Sequence, residues 1–172
     1  MTNEELRNYI AVLSAGDRIA FEKIYKELSI PMYTIILRVV RDQSLAEDIL
    51  QEVFIKLYQS PPISAKKPRA YLFQIARNLA IDGVRKKPQF ADLEDCENLV
   101  YLPIDDLPQK LDIDNALKAL PLVECQIVSL HINGDLKFRE IANILNIPIG
   151  TVIWKYHKAI NSLRSYLYGG AL

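Results

Sequence analysis

Apolar residues recur at steps of three and four along most of the chain, and the period-two alternation of half-buried strands is nearly absent. The pattern predicts helices near 3–14, 17–29, 31–41, 44–59, 69–87, 112–118, 121–133, 137–145 and 149–167. Pro31 fits the first turn of the third helix, where a missing N–H costs nothing. Ser44, with Glu47 three residues on, gives the fourth helix a capping-box start. Between 88 and 111 the period lapses. That stretch, PQFADLEDCENLVYLPIDDLPQKL, holds three prolines and clustered acids, the composition of a linker. The expected architecture is therefore all-α. A helical domain at 1–87 and a second at 112–172 are joined by an acidic linker at 88–111, and no repeat of fixed length is visible.

Three helices carry more than a core stripe. In 44–59, Leu45, Ile49, Leu50, Val53, Phe54 and Leu57 form a broad apolar face. Opposite them Asp48, Gln51, Glu52, Ile55 and Gln59 fall into line at steps of three and four. An isoleucine among carboxylates and amides fits a protein-docking patch, although single exposed isoleucines are common. In 69–87, Leu72, Ile75, Ala76 and Leu79 turn inward, while Tyr71, Gln74, Asn78 and Arg85 share another face. A ring to stack on, amides for base edges and a cation for phosphate suit an unstacked base. The preceding PPISAKKPRA, with Lys66, Lys67 and Arg69, is a proline-stiffened basic loop able to hold a strand. Near the C-terminus, FREIANILNIPIGTVIWKYHKAI spaces Ala142, Asn146 and Val152 as a DNA-binding helix-turn-helix does. Asn146 takes the tight turn where glycine is usual, and asparagine tolerates the left-handed conformation well. With Val152, Tyr156, Ala159 and Leu163 as the core face, Ile153 lies at its edge. Trp154 then points nearly opposite, beside Lys158 and Asn161. That tryptophan suits contact with DNA, anchoring on a protein, or packing on a neighbouring helix.

Charge sharpens the picture. The net charge is zero, but residues 61–87 carry seven basic and one acidic side chain, net +6, and residues 88–130 carry two and nine, net −7. Residues 1–60 are at −2 and residues 131–172 at +3. Two basic blocks flank an acidic one, which implies two anion-binding surfaces, and nucleic acid is the commonest polyanion. The 172 residues, half of them apolar, suffice for one ordinary domain or two small ones. No apolar run is long enough to cross a membrane, and MTNEELRNYI lacks the pattern of a secretion signal. Cys96 and Cys125, with two scattered histidines, show no metal-ligand spacing, which fits a cytoplasmic chain with free thiols. No nucleophile–base pair, metal cluster or glycine-rich phosphate loop points to an enzyme.

The segments LAEDILQEVFIKLY, RAYLFQIARNLAIDGVRKK and LPLVECQIVSLHINGDLKFREIANILNIPIGTVIWKYHKAINSLR stand in that order. Together they resemble a bacterial RNA polymerase sigma factor of the sigma-70 family, extracytoplasmic-function (ECF) group. The resemblance implies a non-enzymatic subunit without metal or cofactor that works on core RNA polymerase. By it, Asp48, Gln51 and Glu52, with Ile55, dock on the polymerase clamp helices. Asn78 and Asp82 match positions facing the opened minus-ten strand of promoter DNA, below a base-capturing loop near 61–69, and Tyr71, Gln74 and Arg85 share that helix. Thr151, Lys155 and Lys158 match recognition-helix positions for the minus-thirty-five element, and Trp154 stands beside them on the same helix. An anti-sigma protein is a further implied partner. The sequence departs from the family at several places. Tyr71 stands where tryptophan is common, and Lys137 where a serine or threonine often caps a helix. Ile153 replaces a frequent lysine and Lys155 a frequent arginine, so the groove contact loses a bidentate fork. Two other readings compete. A helix-turn-helix regulator acting without polymerase leaves the stripe on 44–59 unexplained, and a helical protein-binding adaptor leaves the +6 segment unexplained.

Overall fold

The computed structural model describes residues 1–86, 116–117 and 119–168. The expected linker and most of the expected helix at 112–118 lie outside these residues. Helix α1 (Asn3–Ser14) starts on Thr2, whose Oγ1 accepts from the Glu5 N–H while Glu5 accepts from the Thr2 N–H. It buries Leu6, Ile10 and Leu13. Asp17 then caps α2 (Arg18–Val40) by accepting from the N–H groups of Ile19 and Ala20.

Two helices were expected where α2 runs as one, with Pro31 inside it. The lost hydrogen bond and ring clash cost about 3 kcal/mol. Ala20, Ile24 and Leu28 before the proline, and Met32, Ile35 and Ile36 after it, are all buried on one face. A break would turn one half of that face off the core, and each large apolar side chain is worth about 1.5–3 kcal/mol buried. Burial wins. The helix ends at Arg41, in the left-handed conformation. The next begins one residue before the expected cap. Asp42, not Ser44, caps α3 (Gln43–Gln59), its carboxylate accepting from the Leu45 N–H at 2.8 Å. A carboxylate also complements the positive end of the helix. Helix α4 (Pro68–Lys86) opens on a proline at its first position. Gly83 admits α3 closely, since a Cβ there would lie 3.1 Å from Ile49 Cδ1.

The C-terminal unit comprises α5 (Leu122–Ile132), α6 (Phe138–Leu145) and α7 (Ile149–Tyr168). Every residue of α5 from Glu124 to Leu130 is buried, because α2 and α7 pack on it from different sides. Asn146 ends α6 at φ 54°, ψ 48°, the left-handed turn that its side chain suits. No serine or threonine caps α6. Instead Glu140 accepts from the Lys137 N–H at 2.9 Å.

The two helical units touch directly. Helix α2 packs on α5 and α4 packs on α6. One apolar cluster runs from Leu6 and Ile10 through α2, α3 and α4 to Ile127, Leu130, Leu136, Ile141 and Val152. A smaller cluster of Leu120, Cys125, Val128 and Ala159 seats α7 on α5.

Candidate functional site

The stripe on α3 is solvent-facing. Asp48, Gln51, Glu52, Ile55 and Gln59 are all exposed, and Glu52 meets Lys56 one turn on at 3.1 Å. Both of these side chains are half exposed, so that pair is weak and leaves Glu52 free to exchange partners. Beside the stripe lies a feature the sequence reading missed. Phe21 and Tyr25 of α2 interlock with Phe54 and Tyr58 of α3, with ring centroids 4.7 to 6.3 Å apart. Tyr25 and Tyr58 keep large exposed edges, and Tyr58 lies three residues from Ile55, so the apolar end of the stripe continues onto aromatic rings. The signal was available in two pairs of rings, each four residues apart.

On α4 the expected line is also present. Tyr71 is 47 % exposed, and Gln74, Asn78, Asp82 and Arg85 all face solvent. Asp82 and Arg85 lie 3.9 Å apart. The buried face differs in detail. Phe73 and Ala80 are fully buried, while Ile75 and Leu79 are only partly so. Arg77 is half-buried on the same helix, and desolvation lowers its guanidinium pKa.

The basic loop is divided. Lys66 is exposed, its carbonyl accepting from Arg7 Nη2 at 2.7 Å. Lys67 reaches into the C-terminal unit, 3.1 Å from the buried carboxylate of Glu140. Arg69, read as strand-facing from the sequence, is turned inward and only 5 % exposed. Its Nη1 donates to the Gly134 carbonyl at 3.1 Å, and its Nη2 to the Met1 carbonyl at 2.7 Å and to Glu27 Oε1 at 3.3 Å. The N-terminal ammonium, followed by Arg69, holds the Glu27 carboxyl below its ordinary pKa against the opposing effect of burial. In this arrangement Arg69 ties α2 and the N-terminus to the turn after α5. No local pattern could announce partners 42 to 68 residues away.

The helix-turn-helix supplies the third surface. Val152 and Ala159 are buried, Tyr156 and Leu163 partly so, and Trp154 is 59 % exposed. His131 of α5 stacks on Phe138 of α6, and Tyr156 of α7 meets both rings at steeper angles, which joins the three helices. Thr151 is half-buried at the start of α7. Lys155 and Lys158 flank the Trp154 ring, with ammonium groups 5.7 and 5.5 Å from its centroid. Both also face Glu124 Oε1 of α5, at 3.9 and 3.3 Å. Glu124 is only 2 % exposed and was not singled out in the sequence. Cys125 beside it is a buried free thiol whose pKa burial pushes up, so it is poorly reactive. No described helix is long and apolar enough to cross a membrane.

Comparison with known proteins places this geometry. The family model described as Sigma-70 region 2 matches residues 24–89, from within α2 through α4. The chain is 32 % identical to the ECF RNA polymerase sigma factor SigW of Bacillus subtilis, over 94 % of this chain and 96 % of that one. It is 29 % identical to SigM of the same organism, an ECF RNA polymerase sigma factor, over 73 % of this chain and 82 % of the relative. Among solved structures, the sigma factor RpoE of Bartonella quintana, in complex with the anti-sigma factor NepR, superposes with a TM-score of 0.65. That match has 20 % identity and covers 86 % of this chain and 96 % of that one. CnrH, in complex with the cytosolic domain of CnrY, gives a TM-score of 0.62 at 17 % identity over 94 % and 96 % of the two chains. The chain belongs to the ECF group of sigma-70 family RNA polymerase sigma factors.

Proposed function

We propose that this protein binds core RNA polymerase and directs it to promoters, as a non-enzymatic subunit acting in the cytoplasm without metal or cofactor. The observation that carries this reading is the pairing of two chemically different exposed faces on adjacent helices. One is the carboxylate, amide and isoleucine stripe of α3, and the other is the ring, amide and arginine line of α4. The first suits a protein partner and the second an unpaired base. In this reading Asp48, Gln51, Glu52 and Ile55 dock on the polymerase. Tyr71, Gln74, Asn78, Asp82 and Arg85 engage the opened minus-ten strand with Lys66, Lys67 and Arg69. Thr151, Trp154, Lys155 and Lys158 meet the minus-thirty-five duplex. Lys67 reaches a strand only after the helix-turn-helix unit moves off it, and Arg69 must in addition give up the Met1 carbonyl and Glu27. An anti-sigma protein is a further proposed partner, because the structurally similar sigma factor RpoE of Bartonella quintana was solved in complex with one.

The test is transcription from genomic DNA by purified core polymerase with and without the chain, with the transcripts sequenced. New, discrete start sites sharing upstream sequences are expected. Unchanged transcripts, with duplex binding retained, would turn the assignment to a DNA-binding regulator acting without polymerase.

A further inference from the structure

We infer that Glu124 is a positioning residue that sets the sequence discrimination of the recognition helix, by holding Lys155 and Lys158 back from indiscriminate phosphate binding. The inference rests on the proposed binding of duplex DNA by α7. Glu124 sits in the first turn of α5, almost wholly out of water. A carboxylate there is heavily penalised unless it is paired. Its partners come from α7, with Lys158 Nζ at 3.3 Å and Lys155 Nζ at 3.9 Å. Both ammonium groups also lie near the indole of Trp154, 5.5 and 5.7 Å from its centroid. Lys158 is half exposed and Lys155 less so, and each lies within reach of both the buried anion and the aromatic ring.

This matters because a free surface lysine binds any phosphate, whatever the sequence, and supplies the salt-dependent, sequence-blind part of DNA affinity. A lysine committed to Glu124 must give up that partner to neutralise a phosphate, so its gain on a generic duplex is small. Trp154 and Thr151 meanwhile offer an apolar ring and a hydroxyl suited to thymine methyl groups and base edges. Glu124 therefore lowers non-specific affinity more than specific affinity. The exposed Lys137 and Arg139 near the start of α6 are not paired to it and remain available to backbone phosphates.

The experiment compares the full chain with Glu124→Gln and Glu124→Asp. The probes are a duplex taken from upstream of a start site found in the transcription assay, and a scrambled duplex of the same composition. Binding is measured across a salt series, and acrylamide quenching of Trp154, the single tryptophan, is measured without DNA. For Glu124→Gln the scrambled duplex is expected to bind several-fold tighter at low salt. The log–log salt slope should steepen by about 0.9 for each lysine released. The specific-to-scrambled ratio should fall, and acrylamide should quench Trp154 more readily. Glu124→Asp should lie nearer the native protein in all four. A lower thermal midpoint with unchanged slope, ratio and quenching would overturn the inference and make Glu124 a structural brace. Should Glu124→Gln fail to fold, Lys158→Gln at the surface decides. A slope change well below 0.9 supports a restrained lysine, and a full 0.9 overturns it. If the native chain itself binds neither duplex, the DNA reading has failed, and this inference falls with it for that separate reason.

Discussion

Tyr71 shows what one exposed ring on a rigid helix offers. Its backbone lies within α4 while half its side chain meets water, so its removal should barely touch the core. Tyr71→Ala is expected to move stability by no more than about 0.5 kcal/mol. Single-strand binding should weaken by about 1–3 kcal/mol, the worth of one stacked base. Promoter opening measured beside core-polymerase binding checks this: the first should fall and the second stay. Residues of this kind were legible from the sequence, because exposure on a helix follows from angle alone. Helix angle alone turns Trp154 outward, and the side chain of Asn146 suits the left-handed turn it occupies. Arg69 and Glu124 were not legible. Each is charged, a residue type usually found at the surface, and each is buried by partners from another part of the chain.

Among the elements, amphipathic helices declared their extents and α5 did not declare its faces. It is apolar on nearly every side, so periodicity carries no direction. Helix α2 was split at Pro31 on a local rule that burial on both sides of the proline overrides. The stripe on α3, by contrast, follows from spacing and is a clean target for mutation. Replacing Asp48 and Glu52 together by lysine should leave helical content unchanged, since both are exposed and the Glu52–Lys56 pair contributes little. Binding to core polymerase should fall at least tenfold, about 1.4 kcal/mol. Circular dichroism with a polymerase pull-down titration reads both quantities, and undiminished binding would remove α3 from the docking surface.

At the scale of the molecule, the composition of residues 88–111 suggested two domains on a spacer, whereas the described helices share one apolar cluster. Calorimetry should accordingly show a single cooperative transition, where two independent domains would show two. Arg69→Met should lower its midpoint by a loss of about 1–3 kcal/mol or more, because the Gly134 carbonyl is left buried without its donor. A surface arginine would give almost nothing. The same three-way tie has a consequence for synthesis. Arg69 meets Met1 and Glu27 among residues already made, but Gly134 lies 65 residues later. At translation rates of roughly 5–20 residues per second, that gap lasts about 3–13 s. For at least that interval Lys67 lacks Glu140, and Arg69 has only the Met1 carbonyl and Glu27 to hold it. The nascent chain thus passes through the open form of its basic loop before the last three helices exist to close it.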